Sequence, residues 1–97
     1  MRTPVLAAFG TVLANGTIWQ AGSGNWSVRR NSVGVYYITF APMLPRAPIV
    51  QLTPIAANNN TEVYLATYPT RETFGINGWA TSSNLQTDQS FSFFAYI

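Results

Sequence analysis

Apolar and polar residues alternate with a period of two along most of the chain, and no stretch of useful length carries a helical period. The last segment is the most apolar. In Gln89-Ser90-Phe91-Ser92-Phe93-Phe94-Ala95-Tyr96-Ile97, an extended conformation puts Phe91, Phe93, Ala95 and Ile97 on one face and Phe94 and Tyr96 on the other. One face can fill a core. The other needs a second covering layer, which a short chain can borrow from another subunit. A segment this aromatic is expected to be the central or closing strand of a sheet.

The rest of the pattern supplies the other strands. Val5 to Leu13 is expected to be the first, turning at Ala14-Asn15-Gly16-Thr17 into Thr17–Gln20, because Asn-Gly tolerates the positive φ of tight hairpins. Trp26–Arg30 and Val35–Phe40 flank a second hairpin at Asn31-Ser32-Val33-Gly34, with Tyr36, Ile38 and Phe40 on one face. Pro42, Pro45 and Pro48 make Ala41 to Ala47 a loop crossing between sheets. Ile49–Thr53 is a strand ended by Pro54, and Ala56 to Thr61 is a polar loop. Glu62–Tyr68 is apolar on both sides and stops at Pro69. Thr73–Asn77 buries Phe74 and Ile76, and an irregular stretch from Gly78 to Asp88 precedes the closing strand. Short strands at this spacing, divided by Gly, Pro and Asn, predict one all-β domain over residues 1–97: an antiparallel β-sandwich of about six to eight strands.

Composition narrows the chemistry. With 97 residues, folding buries only roughly 60 to 65% of the unfolded surface, so the isolated domain is marginal. The chain has no Cys and no His, which removes disulfides, the usual zinc, copper and haem ligands, and histidine-based catalysis. Lysine is also absent, and the carboxylates are only Glu62, Glu72 and Asp88, well apart in sequence. The expectation is a protein that is not an enzyme and takes no cofactor or metal. The five arginines, Arg2, Arg29, Arg30, Arg46 and Arg71, give a net charge of +2 without a basic run to track a phosphate backbone, so no nucleic-acid partner is expected. No apolar run approaches the ~20 residues that span a bilayer, and no membrane insertion is expected. The N-terminal segment is read as a strand rather than a signal peptide, since Gly10 and Thr11 break its apolar run and its basic region is one arginine. Charged residues make up 8% of the chain against about a quarter in ordinary soluble domains. A surface of Asn, Ser, Thr and Gln is common in extracellular and virion β-proteins, the expected location.

Asn25-Trp26-Ser27-Val28, Gly34 to Phe40 and Pro48 to Leu52 together resemble the receptor-binding tips of bacteriophage tail fibres and related bacterial β-sandwich modules. Phe74-Gly75-Ile76, leading through Trp79 to Phe91-Ser92-Phe93-Phe94-Ala95, is similar to H-type lectins. The likeness covers most of residues 25 to 97. It implies an antiparallel sandwich of six or seven strands that assembles as a trimer and holds ligands in loops or subunit clefts. The histidine-rich metal sites of some fibre tips have no counterpart here.

Tyr37, Tyr64, Tyr68, Phe94 and Tyr96 form the second-face set. They are expected to make a homotrimer interface, where tyrosine offers apolar area and a hydroxyl that stays hydrogen-bonded; the alternative is that they belong to the core. Trp79 is the ligand candidate, an indole on which sugar C–H groups pack, with Arg71, Asn77, Asn84 and Asp88 to bond the hydroxyls. The alternative is a tryptophan that caps the sandwich edge. Trp19 and Trp26 are expected in the core. Arg29-Arg30 could take an acidic saccharide or phosphate, or simply charge a strand edge against unwanted pairing. The functional expectation is a lectin-like or fibre-tip module recognising a cell-surface glycan. The alternative is a structural oligomerisation or virion decoration domain.

Overall fold

The computed structural model describes residues 3–55 and 61–97, and every regular element among them is a β-strand. In chain order these are β1 (Leu6–Val12), β2 (Ile18–Gln20), β3 (Trp26–Ser32), β4 (Val35–Phe40), β5 (Ile49–Ile55), β6 (Thr61–Leu65), β7 (Thr73–Ala80), β8 (Leu85–Gln86) and β9 (Ser90–Tyr96). The first sheet has the order β2-β1-β9-β5. The second has the order β3-β4-β7-β6, with β8 also paired to β7. All of these pairings are antiparallel. The loop after β4 does cross between sheets, as its prolines predict. The expected loop over residues 56–60 lies outside the described residues, as do Met1 and Arg2.

The closing strand is central to its sheet, with β1 on one side and β5 on the other. Its inward residues Phe91, Phe93 and Ala95 have no solvent exposure, and neither do Ala8 and Val12 beside them. From the facing sheet come Trp26, Tyr36, Ile38, Phe40, Phe74 and Ile76, which complete one core. Rings interlock across the gap. Phe93 meets Trp26 edge-on at 4.9 Å and Phe74 at 5.5 Å, and Phe91 meets Tyr36 at 5.3 Å. Each buried side chain of this size contributes roughly 1.5 to 3 kcal/mol, and a well-oriented aromatic pair about 0.5 to 1.5 kcal/mol more.

Trp26 is the core residue that also ties a loop down. Its indole N–H points at the carbonyl oxygens of Phe9, at 3.0 Å, and Ala21, at 2.8 Å. The ring comes this close to β1 because position 10 is glycine; a β-carbon there would collide with the indole.

Four expectations are corrected. Pro54 does not end its strand. β5 is an edge strand paired only to β9, so an imide without N–H is tolerated on its free side. Trp19 is 61% exposed rather than core, because β2 is a three-residue edge strand with no buried position. The segment from Gly78 is not irregular: β7 continues to Ala80, and β8 prolongs the line of β4 alongside it. Tyr68 is not part of β6, which ends at Leu65.

Gly10→Ala should lower stability by about 1 to 3 kcal/mol through overpacking against Trp26. A urea melt followed by tryptophan fluorescence measures it, with an unchanged midpoint as the contrary result.

Candidate binding site

The period-two alternation that buries one face of the second sheet sets its outer face in rows. Pairing of β3, β4 and β7 aligns Ser27, Thr39 and Thr73 as a row of hydroxyls. The next row is Arg29, Tyr37 and Gly75. Beyond it come Val35, Asn77 and Tyr64, and then Gln86, Trp79 and Glu62. Rows two residues apart are about 6.6 Å apart, so the face is about 20 Å long. A depression of about 520 Å³ lies at its first two rows, lined by Ser27, Arg29, Tyr37, Thr39, Glu72 and Thr73.

Gly75 shapes this surface. A β-carbon there would stand 3.1 Å from Tyr37 Cε1, so the tyrosine ring rests against bare backbone. The Arg29 guanidinium in turn lies over the Tyr37 ring, 5.9 Å from its centroid. The Thr73 hydroxyl donates to the Ile38 carbonyl at 2.6 Å, which fixes its orientation. At the other end the Asn77 amide lies 3.4 Å from the Tyr64 hydroxyl.

The expected ligand set divides. Trp79 and Asn77 share this face, on β7 rather than in a loop. Arg71 lies before β7, at the opposite end from Trp79, with its Nε donating to the Leu44 carbonyl at 3.0 Å. Asn84 is an exposed turn residue in the left-handed region, φ 56°. Asp88 is engaged in structure. Its two carboxylate oxygens share the single N–H of Arg30 Nε, at 3.0 and 3.1 Å, and accept from the Gly34 N–H at 2.8 Å, with Arg30 Nη2 also 3.0 Å away. The Tyr36 hydroxyl, which donates to the Ala14 carbonyl at 2.6 Å, is 3.3 Å from Asp88 and accepts from the Gln89 N–H.

The expected interface set divides as well. Tyr37 and Tyr64 line the face just described, while Phe94 and Tyr96 stand on the outer face of the first sheet. Tyr68 is 95% exposed in the bend after β6. Two opposite outer faces cannot form one patch, because the core lies between them. On the first sheet, Phe94 stacks on Phe9 at 6.2 Å, and Leu6, Tyr96 and Ile49 form the adjoining row. Ile49 is 74% exposed, and none of β1, β2, β5 and β9 carries a charged residue.

No family model, curated protein or solved structure matches the chain. Among the described residues, no group of three or more His, Cys, Asp or Glu side chains could hold a metal ion, and no helix is long and apolar enough to cross a membrane. The signal that could have found the sheet face was the alternation Ser27, Arg29 against Tyr37, Thr39; what hid it was the register between strands.

Burial disfavours the charged form of Asp88, but the hydrogen bonds from Arg30 and Gly34, the Arg30 charge and the Tyr36 hydroxyl outweigh it and hold the carboxyl below the ordinary aspartate value. Burial likewise pushes the Tyr36 phenol up, to about 12. A depressed carboxyl contributes stability above the unfolded pKa of about 3.9 and loses it as pH falls through the lower folded value. A raised phenol contributes below about pH 10 and loses its contribution as pH rises toward the folded value. Asp88→Asn should cost about 1 to 2 kcal/mol at neutral pH and flatten the acid limb of stability. Urea midpoints of both proteins across the pH range test this; parallel acid limbs would contradict it.

Proposed function

We propose that this chain is a non-catalytic binding module that recognises a cell-surface carbohydrate, in the manner of a lectin or phage tail-fibre tip, and works as a homotrimer on a virion or outside the cell. The observation that carries the ligand reading is the outer face of the second sheet. Tyr37, Tyr64 and Trp79 offer ring surface for sugar C–H groups, and Ser27, Thr39, Asn77 and Glu72 offer hydroxyl partners beside them.

A glycosidase is a poor fit. Glu62 lies opposite Trp79 near one end of β7 and Glu72 just before its other end, so strand rise separates them by roughly 20 Å, far beyond the ~5 to 9.5 Å that glycoside hydrolysis uses. Asp88 is committed to Arg30 and Gly34.

A second reading, a structural oligomerisation or virion decoration domain without a ligand, is favoured by the uncharged outer face of the first sheet. Phe9, Phe94, Tyr96, Ile49 and Leu6 leave enough apolar surface there to attract a second copy. Self-association belongs to both readings; only the glycan separates them.

A glycan array should return a bound glycan, and Trp79→Ala or Tyr64→Ala should weaken that binding by about 1 to 2 kcal/mol. An array with no bound glycan, or variants with full binding, would overturn the carbohydrate reading. Light scattering at micromolar concentration should give a trimer mass, and Phe94→Asp should shift it toward the monomer. A monomeric wild type would remove the assembly reading.

A further inference from the structure

We infer that the ligand of the second-sheet face carries a carboxylate and that Arg29 binds it. This inference rests on the carbohydrate reading above and names the class of saccharide.

The adjacent arginines Arg29 and Arg30 have opposite fates. Alternation along β3 sends them to opposite faces. Arg30 is consumed by Asp88, through Nε and Nη2 contacts of 3.0 to 3.1 Å. Arg29 is exposed and makes no ion pair among the described residues. It is nonetheless held in place: its guanidinium lies over Tyr37, and Tyr37 is seated on Gly75. A planar, pre-oriented guanidinium presents paired N–H donors matched to the two oxygens of a carboxylate.

The surroundings select the rest of the ligand. The row Ser27, Thr39, Thr73 presents neutral hydroxyls next to Arg29, and Glu72 lines the same depression. A carboxylate at Glu72 repels a uniformly anionic polymer such as a nucleic acid or a heavily sulfated glycan. It accepts hydrogen bonds from sugar hydroxyls or amides. One cationic donor, one anionic acceptor and a hydroxyl row together fit a saccharide with a single carboxylate per recognised unit and neutral groups otherwise.

The probe is an array of neutral, carboxylated and sulfated glycans, read with the full chain and with Arg29→Gln. The bound glycans should be carboxylated. Methyl esterification of the carboxylate should weaken binding at least about tenfold, and Arg29→Gln should lose the same factor for the acid but nothing for the ester. Arg29 is exposed, so losing its contact with Tyr37 should shift the urea midpoint only slightly and leave the variant folded in the binding assay. Binding only to neutral or sulfated glycans, or an acid preference that survives Arg29→Gln, would overturn the inference and leave the carbohydrate reading standing. No bound glycan of any kind would overturn both.

Discussion

Phe93 stands edge-on to Trp26 and Phe74 at once, and this contact between the sheets decides most of what the molecule presents to solvent. Period two leaves no freedom once one residue of a strand is committed inward. With Phe91, Phe93 and Ala95 buried, Phe94 and Tyr96 must face out. With Tyr36, Ile38 and Phe40 buried, Tyr37 and Thr39 must do the same. A slip of one residue in β9 would turn Ser90, Ser92, Phe94 and Tyr96 inward in place of Phe91, Phe93 and Ala95, and the ring contacts to Trp26, Tyr36 and Phe74 would be lost.

The polar ends of the sandwich hold that register from outside the core. Trp26, Asn25 and Ser23 bind the loop before β3 onto β1 through the backbone groups of Phe9 and Ala7. At the other end, Asp88 lies on the connection that passes from β8 in the second sheet to β9 in the first, and it grips β3 and the β3–β4 turn. Gln89, which is buried, donates through Nε2 to the Ile55 and Ser90 carbonyls. Among the described residues no buried side-chain polar atom lacks a partner. The crossing strand is therefore fixed by hydrogen bonds at its start and by rings along its length.

Much of this was legible in the alternation. The strands from β1 to β4 and the closing strand follow directly from it, and Asn15-Gly16 forms the expected turn, with Gly16 at φ 89°. What escaped was what depends on neighbours. Pro54 reads as a stop signal until β5 is known to be an edge. Trp19 reads as core until β2 is known to have nothing packed over it. The stretch from Gly78 reads as irregular because Gly78 has low strand propensity and Thr81 to Asp88 is largely polar, yet β6 and β8 both pair with β7 through Ala80 and override that preference. The candidate site suffered in the same way. Asp88 reads as a polar partner for a ligand beside Trp79 until its own partners, Arg30 and Gly34, more than fifty residues away, are known.

The two outer faces differ because of where charge is placed. The strands of the first sheet carry no charged residue, while β3 and β6 of the second carry Arg29, Arg30 and Glu62. An exposed apolar face without charge has nothing to oppose close approach of a like surface. A face with a free guanidinium, a carboxylate and hydroxyls would pay to dehydrate all of them against a protein of similar composition. Small polar ligands avoid most of that cost, since their own hydroxyls replace the lost water. Association through the first sheet and ligand capture on the second are thus compatible in one assembly. Phe94 and Tyr37, which share one set by pattern, lie on opposite outer faces because the core stands between them.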